Sequence, residues 1–184
     1  MIKIRYILLF ICLLVATTAA QNPVSLTMTV TPTSVPTGGK GTAKVSASIG
    51  GGWHMYSLTQ GAGGPIPTRI SIPEGVFKMT GASGPKPHVA MDPNFQINTE
   101  TYTGGATFNV GFSVAPTTPE GQQTLSVNVR YQVCNDTSCL PPKTVKLDAL
   151  VTILPAKATA SPTPGALPSP TVASANANAN SNGC

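Results

Sequence analysis

Residues 125–153 read LSVNVRYQVCNDTSCLPPKTVKLDALVTI, and this stretch determines the fold class. Two runs with an apolar residue at every second position flank a short polar segment. These apolar positions are Leu125, Val127, Val129, Tyr131 and Val133, then Val145, Leu147, Ala149, Val151 and Ile153. A period of two over such lengths indicates β-strands that bury one face. The stretch therefore predicts two strands with a turn between them.

The same pattern recurs through the preceding hundred residues. Alternating runs occupy residues 26–30, 43–49 and 108–114, and shorter candidates are WHMYS, TRISI and VFKMT. Clusters of Gly and Pro such as GAGGPIP and GASGPKP mark turns between them. No segment has the period of a helix of three turns or more. We predict an all-β fold, an immunoglobulin-like antiparallel β-sandwich of about eight strands.

Both ends of the chain differ from this pattern. Lys3 and Arg5 precede an apolar run and then small residues, which predicts a secretory signal peptide over residues 1–20 and export of the protein. Residues 155–184 are rich in Pro, Ala, Ser and Asn without apolar periodicity, which predicts a disordered tail or linker. The sandwich is therefore expected over residues 21–154.

Charge and histidine content argue against nucleic-acid binding and against a zinc site. The formal net charge is only +5, and no basic cluster or aromatic platform suggests that the chain binds nucleic acid. A structural zinc site needs four ligands, but His54 and His88 lie in unrelated segments without metal-ligand spacing. We expect no metal and no cofactor, and we expect both histidines to be structural or solvated.

Cys134 and Cys139 allow several interpretations. As a purely structural disulfide the pair would stabilise the fold only weakly. A disulfide that closes a loop of about six residues stabilises the folded state by roughly 2 kcal/mol, against about 4.7 kcal/mol for a loop of 100 residues. A glycan on the Asn135 sequon would block both thiols. A redox pair fits better, because the alternation places Cys134 on the outward face and the following prolines stiffen the returning chain. Cys134 is accordingly expected to be the more exposed cysteine, while Asp136 opposes thiolate formation.

Four segments in order resemble one family, the N-terminal periplasmic domain of the thiol:disulfide interchange protein DsbD. They are YQVCNDTSCLPPKTVKL at 131–147, GGWHMYS at 51–57, GGPIPTRISIP at 63–73 and PHVAMDPNFQINTETY at 87–102. The resemblance covers roughly residues 40–154. It implies an immunoglobulin-like sandwich in the periplasm whose cysteine pair exchanges electrons with thioredoxin-like partners, both donor and acceptors, including those of cytochrome c maturation.

Carried over residue by residue, the resemblance implies that Cys134 and Cys139 are the exchanging pair. Phe95 matches a cap phenylalanine over the cysteines, Asp92 an acidic cap residue, and Tyr56 an aromatic residue that lines the site. Four residues separate the cysteines here, whereas some members have five. No membrane-embedded redox domain follows in this sequence, so the electron source is expected to be a separate or missing polypeptide.

Three functions compete. The first is thiol–disulfide interchange of the protein-disulfide reductase type through a mixed disulfide. The second is a secreted adhesion or interaction module whose disulfide is purely structural. The third is a copper-handling module, for which thioether and imidazole ligands would come from His54, Met55, Met79, His88 and Met91.

Overall fold

A computed structural model describes residues 22–156, and within them every regular element is a β-strand. The predicted signal peptide, and residues 157–184 of the predicted tail, lie outside the described residues. Twelve strands are present in this range: β1 (Val24–Thr31), β2 (Ser34–Pro36), β3 (Lys40–Ile49), β4 (His54–Tyr56), β5 (Arg69–Ser71), β6 (Phe77–Ser83), β7 (His88–Asp92), β8 (Ile97–Thr103), β9 (Gly105–Val114), β10 (Gly121–Tyr131), β11 (Val133–Cys134) and β12 (Lys143–Leu154). Across 22–156 there is no helix with the length and apolarity needed to cross a membrane.

The strands form an immunoglobulin-like β-sandwich, as predicted. One sheet has the order β1-β3-β9-β6, a second the order β2-β12-β10-β5, and a smaller third the order β11-β4-β8-β7. Every pair is antiparallel except β2 with β12, which is parallel. Each of the eight predicted runs contains a strand, and the four additional strands are β2, β7, β8 and β11, which is separated from β10 at Gln132.

The alternating residues of the long strands fill the core. On β3, β9 and β10 the apolar positions are buried and the residues between them are more exposed, which is the pattern of a sheet covered on one face. The packing leaves no room for a side chain at Gly41, because a Cβ there would lie 2.5 Å from the ring of Phe112, its cross-strand neighbour. Glycine, which has no Cβ, lets that ring approach the backbone so closely.

The third sheet positions the candidate site, because its two faces differ. Val133, Met55 and Tyr102 belong to the hydrophobic core and mark the inner face. Cys134 and Tyr56 are both 0% exposed, yet neither is part of the core cluster. They lie on the outer face of the sheet, so another part of the chain must cover them there.

Candidate functional site

The two domain cysteines face each other at the start of a tight hairpin. Cys134 and Cys139 form a disulfide with a Cα–Cα distance of 4.0 Å, and they are directly opposite in an isolated antiparallel bridge. The residue pairs on either side carry the backbone hydrogen bonds: Asn135 N–H donates to Ser138 O at 2.9 Å and Leu140 N–H donates to Val133 O at 2.9 Å. A pair between such bonds is a non-hydrogen-bonded pair, whose side chains approach most closely.

Asn135 shapes the four-residue turn between the cysteines. Its side-chain oxygen accepts hydrogen bonds from the backbone N–H groups of Thr137 at 3.0 Å and Ser138 at 2.8 Å. Asparagine is favoured in turns because its amide can replace a backbone partner two residues away. The side chain that sequence reasoning treated as a glycosylation candidate therefore organises the turn that brings the cysteines together.

The two cysteines have unequal access to solvent. Cys134 is 0% exposed, whereas Cys139 is partly exposed. The prediction that Cys134 is the more exposed cysteine is wrong. The alternation of apolar residues did predict the correct face of the strand, since Cys134 points away from the core. Cys134 is nevertheless buried there, and the β7–β8 connection contacts the adjacent Asn135 and the neighbouring Tyr56 on that face.

This connection, residues 93–96, is called the cap turn. The Asp92 carboxylate accepts a hydrogen bond from Asn94 N–H at 2.9 Å, and Gln96 N–H donates to Asp92 O at 2.8 Å. The Asn94 side chain donates to the backbone oxygen of Asn135 at 2.8 Å. The cap turn is thus shaped by Asp92 at its base and joined to the cysteine hairpin at its tip.

Phe95 extends from the cap turn to the outer face of the third sheet. Its half-buried ring meets the ring of Tyr56 edge to face, with centroids 6.2 Å apart and an interplanar angle of 88°. Aromatic pairs favour this geometry because the positive edge of one ring faces the negative face of the other. The structure therefore brings Phe95, Tyr56 and Asp92 together beside the hairpin.

Asp92 is the centre of a buried polar cluster. Tyr56 OH donates to Asp92 Oδ2 at 2.7 Å, Thr99 OH donates to the same oxygen at 3.3 Å, and His54 Nε2 lies 3.6 Å from it. His54 Nε2 also lies 3.1 Å from Tyr56 OH. Although Asp92 is only 3% exposed, its carboxylate has several donors around it.

These contacts set the charges of the cluster. Burial raises the pKa of Asp92, but the hydrogen bonds from Tyr56, Asn94 N–H and Thr99, together with the charge of His54, outweigh burial and hold that pKa below its usual value of 3.8. Burial, and then the hydrogen bond and charge of Asp92, raise the pKa of Tyr56. At neutral pH the pair is therefore a carboxylate and a neutral phenol.

His54 is the residue of this site that sequence reasoning missed. It was expected to be structural or solvated, yet it pairs directly with Cys134 across β4 and β11 and contacts Tyr56. The alternation in WHMY could have revealed it, because residues 54 and 56 of one strand share a face. Met55 lies on the opposite face in the core, so it cannot join His54 in the copper site considered above.

Comparison with known proteins shows which family this chain belongs to. The model of the family described as "Thiol:disulfide interchange protein DsbD, N-terminal" matches residues 21–150. The chain belongs to this family. The match includes all residues of the site, from Tyr56 in β4 to the cysteine hairpin, and it confirms the resemblance noted in the sequence. A search of curated proteins gave no match.

Two solved structures give the wider context of this DsbD N-terminal family member. The N-terminal periplasmic domain of ScsB from Proteus mirabilis is similar with a TM-score of 0.52 and 16% identity, over 72% of this chain and 48% of that one. The N-terminal domain of DsbD from Neisseria meningitidis, in the reduced form, has a TM-score of 0.43 and 20% identity, over 60% and 77%. This chain thus spans about half of the ScsB domain, whose likeness supports the β-sandwich fold.

Proposed function

We propose that this chain is a periplasmic thiol–disulfide exchange domain that passes electrons through the Cys134–Cys139 pair. The observation that carries the proposal is the unequal exposure of the two cysteines in a short hairpin. Cys139 is partly exposed, while Cys134 is buried. An incoming thiolate can therefore reach the pair at Cys139 while Cys134 is held next to it, as a mixed-disulfide mechanism requires.

The exchange runs in two steps. A thiolate of the reducing partner attacks Cys139 Sγ, a new S–S bond joins the partner to Cys139, and the Cys134–Cys139 bond breaks with its electron pair on Cys134. A second thiol of the partner then attacks the partner sulfur that is bonded to Cys139. A disulfide forms within the partner, and Cys139 leaves as a thiolate. The domain gains two electrons and two protons, and the partner becomes oxidised. The reverse sequence reduces an acceptor.

The cap turn controls access to the pair in this proposal. Phe95 shields the sulfurs from small oxidants, and its position is supported by the edge-to-face contact with Tyr56. Asp92 and Tyr56 hold the cap turn in place through their hydrogen bond. A partner that displaces Phe95 would gain access to the buried Cys134 as well as to Cys139, whereas a dissolved oxidant lacks the contact surface to do so.

The partners are thioredoxin-like periplasmic proteins, as electron donor and as acceptors, and a membrane-embedded redox domain would supply the donor. This proposal rests on family membership and on the predicted signal peptide. A Cys-x4-Cys pair that acts as a protein-disulfide reductase in this way needs no cofactor, since the electrons travel in the S–S bond itself.

A secreted interaction module with a static disulfide is the competing function. The complete burial of Cys134 favours it, because a covered sulfur is protected from reagents. The partial exposure of Cys139 favours exchange, since attack on one sulfur is enough to open the bond.

A trapping experiment tests the proposal. The Cys134→Ser chain is incubated with a thioredoxin whose resolving cysteine is replaced and whose remaining cysteine carries a 5-thio-2-nitrobenzoate group in a disulfide. Cys139 should attack that disulfide and form a stable mixed disulfide with the thioredoxin as thionitrobenzoate leaves. The Cys139→Ser chain should form little or none, because its remaining thiol is buried. Trapping with neither variant would contradict exchange. Trapping only with Cys139→Ser would reverse the order of attack. Replacement of Cys184 by serine in both chains prevents pairing through the tail.

A further inference from the structure

We infer that His54 is the acid–base partner of Cys134, and that it supplies and removes the proton which that sulfur exchanges during each redox cycle. The inference rests on the proposed function and names a residue role within the same site. It depends on the strand register, on the hydrogen bonds of His54 and on the cavity beside it.

The register places the imidazole and the sulfur on neighbouring strands of the same face. Cys134 and His54 are directly opposite in the antiparallel pair of β11 and β4. Directly opposite residues lie on the same face, with Cβ atoms about 4.5–5.5 Å apart. Both side chains therefore lie on the outer face, and His54 is the basic side chain nearest in register to the disulfide.

The hydrogen bonds determine which ring nitrogen of neutral His54 carries the proton and which can accept one. Tyr56 has one hydroxyl hydrogen, and it is donated to Asp92 Oδ2 at 2.7 Å. The 3.1 Å contact between His54 Nε2 and Tyr56 OH must then be donated by the histidine, so neutral His54 carries its proton on Nε2. Nδ1 has no hydrogen-bond partner among residues 22–156, and in neutral imidazole it is the basic nitrogen.

Charged and polar side chains from three strands and the cysteine turn surround His54. Asp92 faces it from β7 and Tyr56 from its own strand, while β8 contributes the uncharged Thr101 and Thr103. Asp136 of the cysteine turn lines the same shallow cavity of about 130 Å³. The His54 side chain is 14% exposed, so water in this cavity can exchange protons with the ring.

The proposed step balances as follows. When a thiolate attacks Cys139 and the S–S bond breaks, the electron pair leaves on Cys134 Sγ. The imidazolium of His54 gives its Nδ1 proton to that thiolate, which lowers the barrier because a stabilised thiolate is a better leaving group. In the opposite direction neutral Nδ1 takes the proton from the Cys134 thiol. The resulting thiolate attacks Cys139 Sγ in the mixed disulfide and releases the partner's thiolate.

The test is the pH profile of disulfide reduction by dithiothreitol, with each rate divided by the concentration of dithiothreitol thiolate. In the wild-type chain this normalised rate should fall as pH rises and the imidazolium loses its proton. His54→Gln should give a flat profile that is lower at acidic pH by about a hundredfold, the lower end of the range for acid–base catalysis. His88→Gln is the matched control, because His88 is an exposed histidine on β7 of the same sheet, and it should behave as wild type.

The outcomes separate this inference from the proposed function. A flat wild-type profile, or a slope that persists in His54→Gln, would overturn the role of His54 while exchange itself stands. A wild-type disulfide that dithiothreitol cannot reduce would overturn both. His54→Asn is a second variant if His54→Gln fails to fold, and the wild-type profile tests the inference without any variant.

Discussion

Asp92→Asn tests whether the buried carboxylate holds the cap turn in place. Asparagine keeps one oxygen for the Asn94 N–H bond but places an NH₂ group where Oδ2 accepts from Tyr56 and Thr99. The Tyr56 hydroxyl, 0% exposed, then loses its acceptor. A hydrogen bond to a charged group contributes about 1.5–3 kcal/mol. Because removal of the charge also removes its burial cost, we expect a loss of about 2 kcal/mol in the free energy of unfolding.

The pH dependence of this loss has a defined sign. The folded pKa of Asp92 lies below the usual 3.8, so ionised Asp92 stabilises the folded chain above that value. As pH falls through the folded pKa, this contribution disappears and the difference between wild type and Asp92→Asn should shrink.

Urea unfolding followed by fluorescence of Trp53, the single tryptophan, measures both quantities. Asp148→Asn is the control, because hydrogen bonds from Ser126 and Lys146 also lower the pKa of Asp148, but on the solvent-exposed face of β12. Equal effects of the two substitutions at neutral pH would refute the reasoning. So would a difference for Asp92→Asn that does not change in acid.

Three further outcomes follow from the structure. Phe95→Ala should make the reduced pair react several-fold faster with hydrogen peroxide, as measured by thiol loss, and equal rates would disprove shielding by the cap turn. Asn135→Ala should lower the stability of the oxidised chain to urea by about 1 kcal/mol, because the turn loses its internal acceptor; no change would mean that the backbone alone holds the turn. Phe112→Ala should cost about 3–5 kcal/mol, whereas Leu150→Ala on the surface should stay within about 0.5 kcal/mol, and similar losses would contradict the assigned core.

The sandwich could be predicted because its long strands bury one face. On β9 the buried residues Phe108, Val110 and Phe112 alternate with less buried positions. The same alternation of apolar and polar or small residues is visible in the amino-acid sequence. β7 and β8 lack the signal because the outer face of their sheet carries polar side chains and the cap turn rather than core. Val89 and Met91 on the edge strand β7 are exposed, so burial there gives no period-two pattern.

The site was partly predictable, and the missing part depends on contacts distant in sequence. The resemblance named Tyr56, Asp92 and Phe95, and the structure brings them together. The run from Leu125 to Val133 was predicted as one strand, but Gln132 interrupts it and β11 pairs with β4 instead of continuing the second sheet. Because strand pairing is a non-local property, the sequence could not show that His54 lies opposite Cys134.

The midpoint potential of the Cys134–Cys139 pair tests the central claim most directly. It would be measured in the full chain with Cys184→Ser, by thiol trapping across a graded redox buffer. Electron exchange predicts a midpoint of roughly −180 to −270 mV, the range of thioredoxin-like exchange proteins. A midpoint below about −300 mV, typical of structural disulfides, would contradict the account and leave the static interaction module as the better description.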